Sequence, residues 1–194
     1  MQNNVINFLH SRRSVVAKKM LPQEPSQSDL DDIIDCGLRV PDHSNVQPWK
    51  LVVLQGESRK QFDEQTILPA AEADAQEPLT AMQRELESTR MQRGGVVIAV
   101  LCTPVIPHKI PLWEQQLSSA AVCTHLLIAA QSLDYAAQWL TEWPAYNKNV
   151  IADLGGDPAS DQIAGFIHIG KKQETPAERK RPVRTEKVIY WSSP

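Results

Sequence analysis

Apolar positions recur along this chain in two different periods, and the switches between them outline its elements. Val5, Ile6, Phe8 and Leu9 sit at helical spacing and predict a short first helix that stops at Ser11-Arg12-Arg13-Ser14. Ser26, three residues ahead of Asp29, is a candidate N-cap. Leu30, Ile33, Ile34 and Leu38 then make one face of a second helix reaching about Arg39, with Cys36 following that face inward. Pro41 forces the residue before it out of the helical region, and Pro48 opens the way to a β-branched strand, Leu51-Val52-Val53-Leu54.

Glu57 to Ala70 reads as helix, and the polar, charged stretch from Ala71 to Gln92 as largely helical, an excursion or lid. Gly94-Gly95 breaks it. Val96 to Cys102 is apolar at every position, as in a strand covered on both faces, and such a strand implies layers of helix. Pro104, Pro107 and Pro111 keep a loop extended before Trp113 to Leu133, which from Ala120 onward is apolar on nearly every side, as a central buried helix is. Ala136 to Leu140 is a short strand closed by Trp143-Pro144. A helix over Tyr146 to Leu154 stops at Gly155-Gly156, and Ile163 to Ile169 is the last core strand. Beyond Gly170 the chain is basic and proline-marked, ending in Val188-Ile189-Tyr190-Trp191, an apolar extended tail with nothing local to pack on. Strands interleaved irregularly with helices predict a layered α+β or mixed α/β architecture.

At 194 residues and 42% hydrophobic the chain suits one core, hence a single domain over residues 1–194. A net charge of -3 argues against a nucleic-acid surface. The basic clusters at Arg12-Arg13, Lys18-Lys19, Lys171-Lys172 and Arg179 to Arg184 are interspersed with acids and read as local anion sites or solvated faces. Cys36, Cys102 and Cys123, each in apolar sequence, are expected as buried free thiols of a reducing compartment. No signal peptide or membrane segment is evident, so a soluble, cytoplasmic protein without membrane partners is expected.

Between Pro41 and Pro48 lie five polar side chains, Asp42, His43, Ser44, Asn45 and Gln47, on a turn clamped between helix and strand. They suit a polar ligand, and equally an ordinary surface turn. Arg12-Arg13-Ser14 combines guanidinium forks with a hydroxyl, a set suited to phosphate, although paired arginines also serve as solvated faces. Arg39, a cation at a helix C-terminus, has a dipole role as well. No Gly-x-Gly-x-x-Gly or Walker loop, no metal-ligand spacing and no Gly-x-Ser-x-Gly elbow occurs, so a Rossmann dinucleotide, a metal and a serine nucleophile are all disfavoured.

In joint order these segments resemble the nitroreductase family: a helix ending in Arg-Arg-Ser, then Arg-x-Pro-x-x-x-Asn-x-Gln-Pro-Trp, a strand, a long buried helix, a short Trp strand and a basic tail. The small, short-chain branch is the most similar, with Pro-Asp-His before Gln-Pro-Trp and Trp113-Glu114-Gln115 opening the central helix. The resemblance implies an α+β layered sandwich, a central mixed sheet flanked by helices, and a homodimer whose C-terminal tails wrap the partner subunit. It also implies FMN at the interface and electrons passed from NADH or NADPH to nitro compounds, quinones or similar acceptors. By the same resemblance Arg12, Arg13 and Ser14 match phosphate and ribityl contacts, and Arg39, His43, Asn45 and Gln47 match ring-edge contacts. Trp139, Leu140 and Thr141 match the flavin-lining segment, and Arg181, with Arg179 behind it, matches the late basic residue on the phosphate. No side chain is assigned as a catalytic group, since the cofactor carries the chemistry; Trp113 and Glu114 are candidate pocket walls. Three departures stand out. Asp42 and Val16 replace the usual serine and ring-side cation, and Leu133-Asp134-Tyr135 replaces a glycine turn. Storage or sensing of FMN without turnover is the competing reading, and oxygen-using or dehalogenating chemistry a third.

Overall fold

The two-sided apolar run becomes the second strand of a four-stranded sheet in the computed structural model, which describes residues 4–192. The strands are Trp49–Leu54 (β1), Val96–Cys102 (β2), Tyr135–Leu140 (β3) and Gln162–Lys171 (β4), in the order β1-β2-β4-β3. All three pairings are antiparallel, where the resemblance implied a mixed sheet. Every residue of β2 is buried, and its alternate side chains serve two cores. Val96, Ile98 and Val100 join Leu30, Ile33, Val122 and Leu126 on one face, and Val97, Ala99 and Leu101 join Ile67, Val150, Ile151 and Phe166 on the other. With helices on both faces, β2 has no solvent side to mark with polar residues.

The helices are Asn4–Ser11 (α1), Gln27–Gly37 (α2), Glu57–Phe62 (α3), Leu68–Asp74 (α4), Ala81–Glu87 (α5), Leu112–Ser132 (α6), Lys148–Asp153 (α7) and the single turn Arg184–Lys187 (α8). The first face is covered by α2 and α6, and the second by α3, α4, α7 and the wide turn Asp63–Ile67 that joins α3 to α4. Ser26 caps α2 as expected, accepting from Asp29 N. The helix ends at Gly37 rather than Arg39. A Cβ at Gly37 would lie 2.4 Å from Leu126 Cδ2, so α2 and α6 cross where only glycine fits. Cys36, about 100° around the axis from Gly37, is exposed, which corrects the expected burial; Cys102 and Cys123 are buried free thiols. Leu38, the C-cap, is also exposed instead of continuing the apolar face.

Residues 71–92 are helical only in two pieces. The chain leaves α4 at Ala75 and re-forms a helix at the Thr80–Gln83 capping box. Residues 143–146 form a separate 3-10 turn, so α7 starts at Lys148, capped by Asn147. The tail is exposed as expected, but it has a local contact: Arg184 Nη2 donates to Tyr190 Oη (2.5 Å) and stacks on its ring.

Candidate functional site

The long helix α6 positions two of the three predicted groups, one at each end. Near its N-terminus, Ser118 Oγ donates to Pro41 O (2.7 Å) and Ser119 Oγ to Pro48 O (2.9 Å), so two adjacent hydroxyls of the helix hold both prolines of the polar turn. Inside the turn Ser44, Asn45 and Gln47 adopt φ of 61°, 55° and 51°, left-handed values that cost roughly 1–2 kcal/mol each for residues with a Cβ. Asp42 offsets part of this cost, with Oδ2 accepting from Gln47 N at 2.7 Å. Gln47 Nε2 donates to Asn45 Oδ1 (3.0 Å), and His43 Nδ1 lies 2.6 Å from Glu114 Oε2. A cleft of about 470 Å³ opens here between Asp42, His43, Glu114, Leu117 and Ala121. Arg39 lies just past α2, with its amide on Cys36 O (3.2 Å) and its side chain exposed.

At the other end, Gln131 organises the arginines. Its Oε1 accepts from Arg12 Nε (2.9 Å), and its Nε2 donates to Arg13 O (2.8 Å) and Ala137 O (3.3 Å). Arg12 Nη2 also reaches Ser14 Oγ at 3.3 Å. Arg181, distant in sequence, returns to the same place. Burial, with repulsion from Arg181 and Arg13, lowers the Arg12 pKa, as expected for a cation crowded among cations. Glu178 partly compensates, with Oε1 3.0 Å from Arg181 Nε and 3.5 Å from Arg13 Nη1. That Arg13 nitrogen is nonetheless buried without a hydrogen-bond partner. A cavity of about 300 Å³ adjoins it, lined by Arg12, Arg13, Gln131, Tyr135, Lys172 and Glu178.

The third group, at the end of β3, lies beside the arginine segment. Val15 N donates to Ala137 O (3.2 Å) and Ala17 N to Gln138 Oε1 (2.5 Å), while Leu140 packs on Val15, Ala17 and Met20. Trp139 Nε1 is held by Ala164 O (3.0 Å); its ring fills the place where Gly165 lacks a Cβ. After Thr141 the chain turns at Glu142 (φ 51°), whose carboxylate pairs with Arg93 at 3.0 Å and with Arg90. Burial works against the charged form of Glu142, but Arg93 and Arg90 outweigh it and hold the carboxyl below its ordinary value.

Arg12, Arg13, Ser14 and Arg181 therefore converge, with Trp139, Leu140 and Thr141 on the neighbouring strand, whereas Arg39, His43, Asn45 and Gln47 form a separate cluster. Glu114 and Gln131 are 17 residues apart on one helix, about 26 Å at 1.5 Å per residue. Gln131, Gln138 and Glu142 were missed from sequence, and Lys172 was read only as part of a basic cluster. Gln131 had one available signal, an amide closing an apolar helix where it must find buried partners. Asp134 stands at φ 64° in the turn after α6, where the resemblance implied glycine, a value aspartate tolerates. Val16, at the place of the missing cation, is 52% exposed. Among the described residues no group of three His, Cys, Asp or Glu could hold a metal, and no helix is long and apolar enough to cross a membrane.

The nitroreductase family model matches residues 9–171. The chain is 28% identical over 179 residues to "Putative NAD(P)H nitroreductase YdjA" of Escherichia coli K12, covering 88% of this chain and 89% of that protein. Among solved structures, a nitroreductase-like family protein from Bacillus cereus superposes with a TM-score of 0.82 at 21% identity, covering 100% and 98% of the two chains. A nitroreductase with bound FMN from Bacteroides fragilis superposes at 0.69 and 17% identity, covering 98% and 100%.

Proposed function

Because the chain belongs to the nitroreductase family, we propose that it is an FMN-dependent oxidoreductase passing electrons from NADH or NADPH to a nitro compound, a quinone or a similar small acceptor. One observation carries the cofactor assignment. Three arginines, at positions 12, 13 and 181, gather where the buried Arg13 Nη1 makes no hydrogen bond and has only Glu178 Oε1 at 3.5 Å, and a dianionic phosphate satisfies such a set better than that single carboxylate. Relatives named as NAD(P)H nitroreductases and a neighbour holding FMN support the same reading.

When bound, FMN supplies the hydride chemistry, and the protein's residues hold and surround it. Arg12, Arg13, Ser14 and Arg181 hold the phosphate end, and Trp139 to Thr141 line the neighbouring wall. Arg39, His43, Asn45 and Gln47 would then meet the ring, and their distance along α6 supports an origin in a second copy of the chain. The exposed apolar surface fits such a homodimer: Trp113 (66% exposed) with Leu117 on α6, and Ile189, Tyr190 and Trp191 on the tail. With nicotinamide and acceptor visiting one ring face in turn, no Rossmann fingerprint is needed.

The test is spectroscopic. Purified protein should carry about one FMN per chain, bleach anaerobically with NAD(P)H and recover its colour with a quinone or nitroarene. Replacing Arg12 and Arg13 by Ala should weaken FMN binding roughly 100-fold or more with an unchanged far-UV spectrum, since charge-assisted hydrogen bonds contribute about 1.5–3 kcal/mol each. Full FMN content in that variant would reject the phosphate assignment, and yellow protein inert to NAD(P)H would replace turnover by storage.

A further inference from the structure

Two-electron reduction of a quinone or nitro group needs more than a hydride. A hydride brings two electrons and one proton; the acceptor oxygen takes a second proton, giving a hydroquinone, or for a nitro group a nitroso product and water. Resting on the function proposed above, we infer that His43 donates this proton and that Glu114 is its positioning residue.

The geometry around the polar turn supports this division of roles. His43 Nδ1 lies 2.6 Å from Glu114 Oε2, so the carboxylate fixes a tautomer with its hydrogen on Nδ1 and leaves Nε2 toward other partners. Among the described residues Nε2 has no hydrogen-bond partner. The other polar groups lining this cleft are committed elsewhere: Asp42 Oδ2 accepts from Gln47 N, and Ser118 Oγ donates to Pro41 O. Pro41, Leu117 and Ala121 supply apolar walls, a setting for a planar organic acceptor. The imidazole Nε2 is thus the one polar atom of the lining side chains left free to face an acceptor and able to carry a transferable proton. In the step, the Nε2–H bond of the imidazolium breaks and an O–H bond forms on the acceptor. Nδ1–H stays on Glu114, and the neutral ring then recovers a proton from water. Asp42 and Glu114 are the ionisable groups beside the ring.

The experiment follows reoxidation of the reduced FMN-loaded protein by stopped flow with two acceptors. A benzoquinone must gain a proton, whereas ferricyanide takes single electrons and gains none. For His43→Gln every rate is taken per bound FMN, and reduction by NAD(P)H and reoxidation by ferricyanide should change by a common small factor. Reoxidation by quinone should fall about 100-fold beyond that factor, within the usual contribution of general acid catalysis. His43→Ala should be partly rescued by added imidazole. Glu114→Gln should give an intermediate loss, and Glu114→Asp should recover most of it. Equal losses with both acceptors would overturn the assignment and leave the pair a structural staple. A parent protein that neither binds FMN nor accepts electrons from NAD(P)H would instead reject the proposed function, and this role with it.

Discussion

The two ends of α6 do different work with similar polar side chains. At the N-terminal end, Ser118 and Ser119 spend their hydroxyls on carbonyls of Pro41 and Pro48, and what they fix is the path of the backbone. At the C-terminal end, Gln131 spends its amide on Arg12 and Arg13, and what it fixes is a charge. The first end is largely satisfied within the chain. The second retains a buried guanidinium nitrogen with no hydrogen bond, as a ligand site does. Both ends bear residues expected on one cofactor, yet about 26 Å of helix separates Glu114 from Gln131, and the homodimer proposed above would bring two such ends together.

Mixed dimers test that conclusion most severely. One chain carries Arg12→Ala with Arg13→Ala, the other Asn45→Ala with Gln47→Ala, and each alone should purify nearly colourless. Co-expressed under two tags and isolated as the mixed dimer, they should recover about half of the parent FMN content. In that dimer one site has both defects and the other has neither. Recovery near zero would mean that each chain builds its site alone.

The far face of the sheet provides a contrast with both ends. There Asp63 is fully buried in the wide turn before α4, accepting from Met91 N (2.8 and 3.0 Å) and Gln92 Nε2 (3.1 Å). Burial outweighs those bonds and the nearby Arg90 and Arg93, raising the carboxyl to about 6. A carboxyl with a raised folded pKa binds its proton more tightly folded than unfolded. Its contribution therefore favours the fold at low pH, and stability falls as pH rises from about 4 to 6, by about 3 kcal/mol. Asp63→Asn should remove that component from chemical denaturation curves while FMN affinity stays put. An unaltered pH dependence would place the titration elsewhere.

Much of this arrangement was legible in the sequence. The two-sided run of β2, the buried α6 and the proline-bounded turn followed from periodicity and punctuation alone. The arginine cluster was legible only through resemblance, because Arg12 and Arg181 meet by tertiary folding that no local pattern encodes. Cys36 was misplaced because apolar neighbours were read as burial. On a helix one residue's offset turns a side chain about 100°, and Gly37, not Cys36, faces α6. The break before α5 was legible and overlooked, since Thr80 and Gln83 stand at capping-box spacing after Pro78. Gln131 was marked as an amide closing an apolar stretch, but its partners were not legible, because Ala137 O and Arg13 O are carbonyls from two other segments.

Gln131→Leu should weaken FMN binding about tenfold, the loss of one well-placed charge-bearing contact, with a small change in melting temperature. Fluorescence titration with FMN measures it, and unchanged affinity would show that the arginines orient themselves.

Ser119→Ala should give the reverse pattern, with the smallest effect of the set. The hydroxyl is buried and bonds Pro48 O, but that carbonyl also accepts from Thr103 N (2.9 Å), so removal leaves no orphan and costs about 1 kcal/mol. For a chain of this size that is a fall of about 2–4 °C in apo-protein melting temperature. FMN affinity should move less than threefold, because Ser118 still holds Pro41 and Asp42 still caps Gln47. If Ser119→Ala instead cost as much affinity as Gln131→Leu, the turn would be positioned for the ligand by that one hydroxyl. The distinction between an end that fixes backbone and an end that fixes charge would then fail.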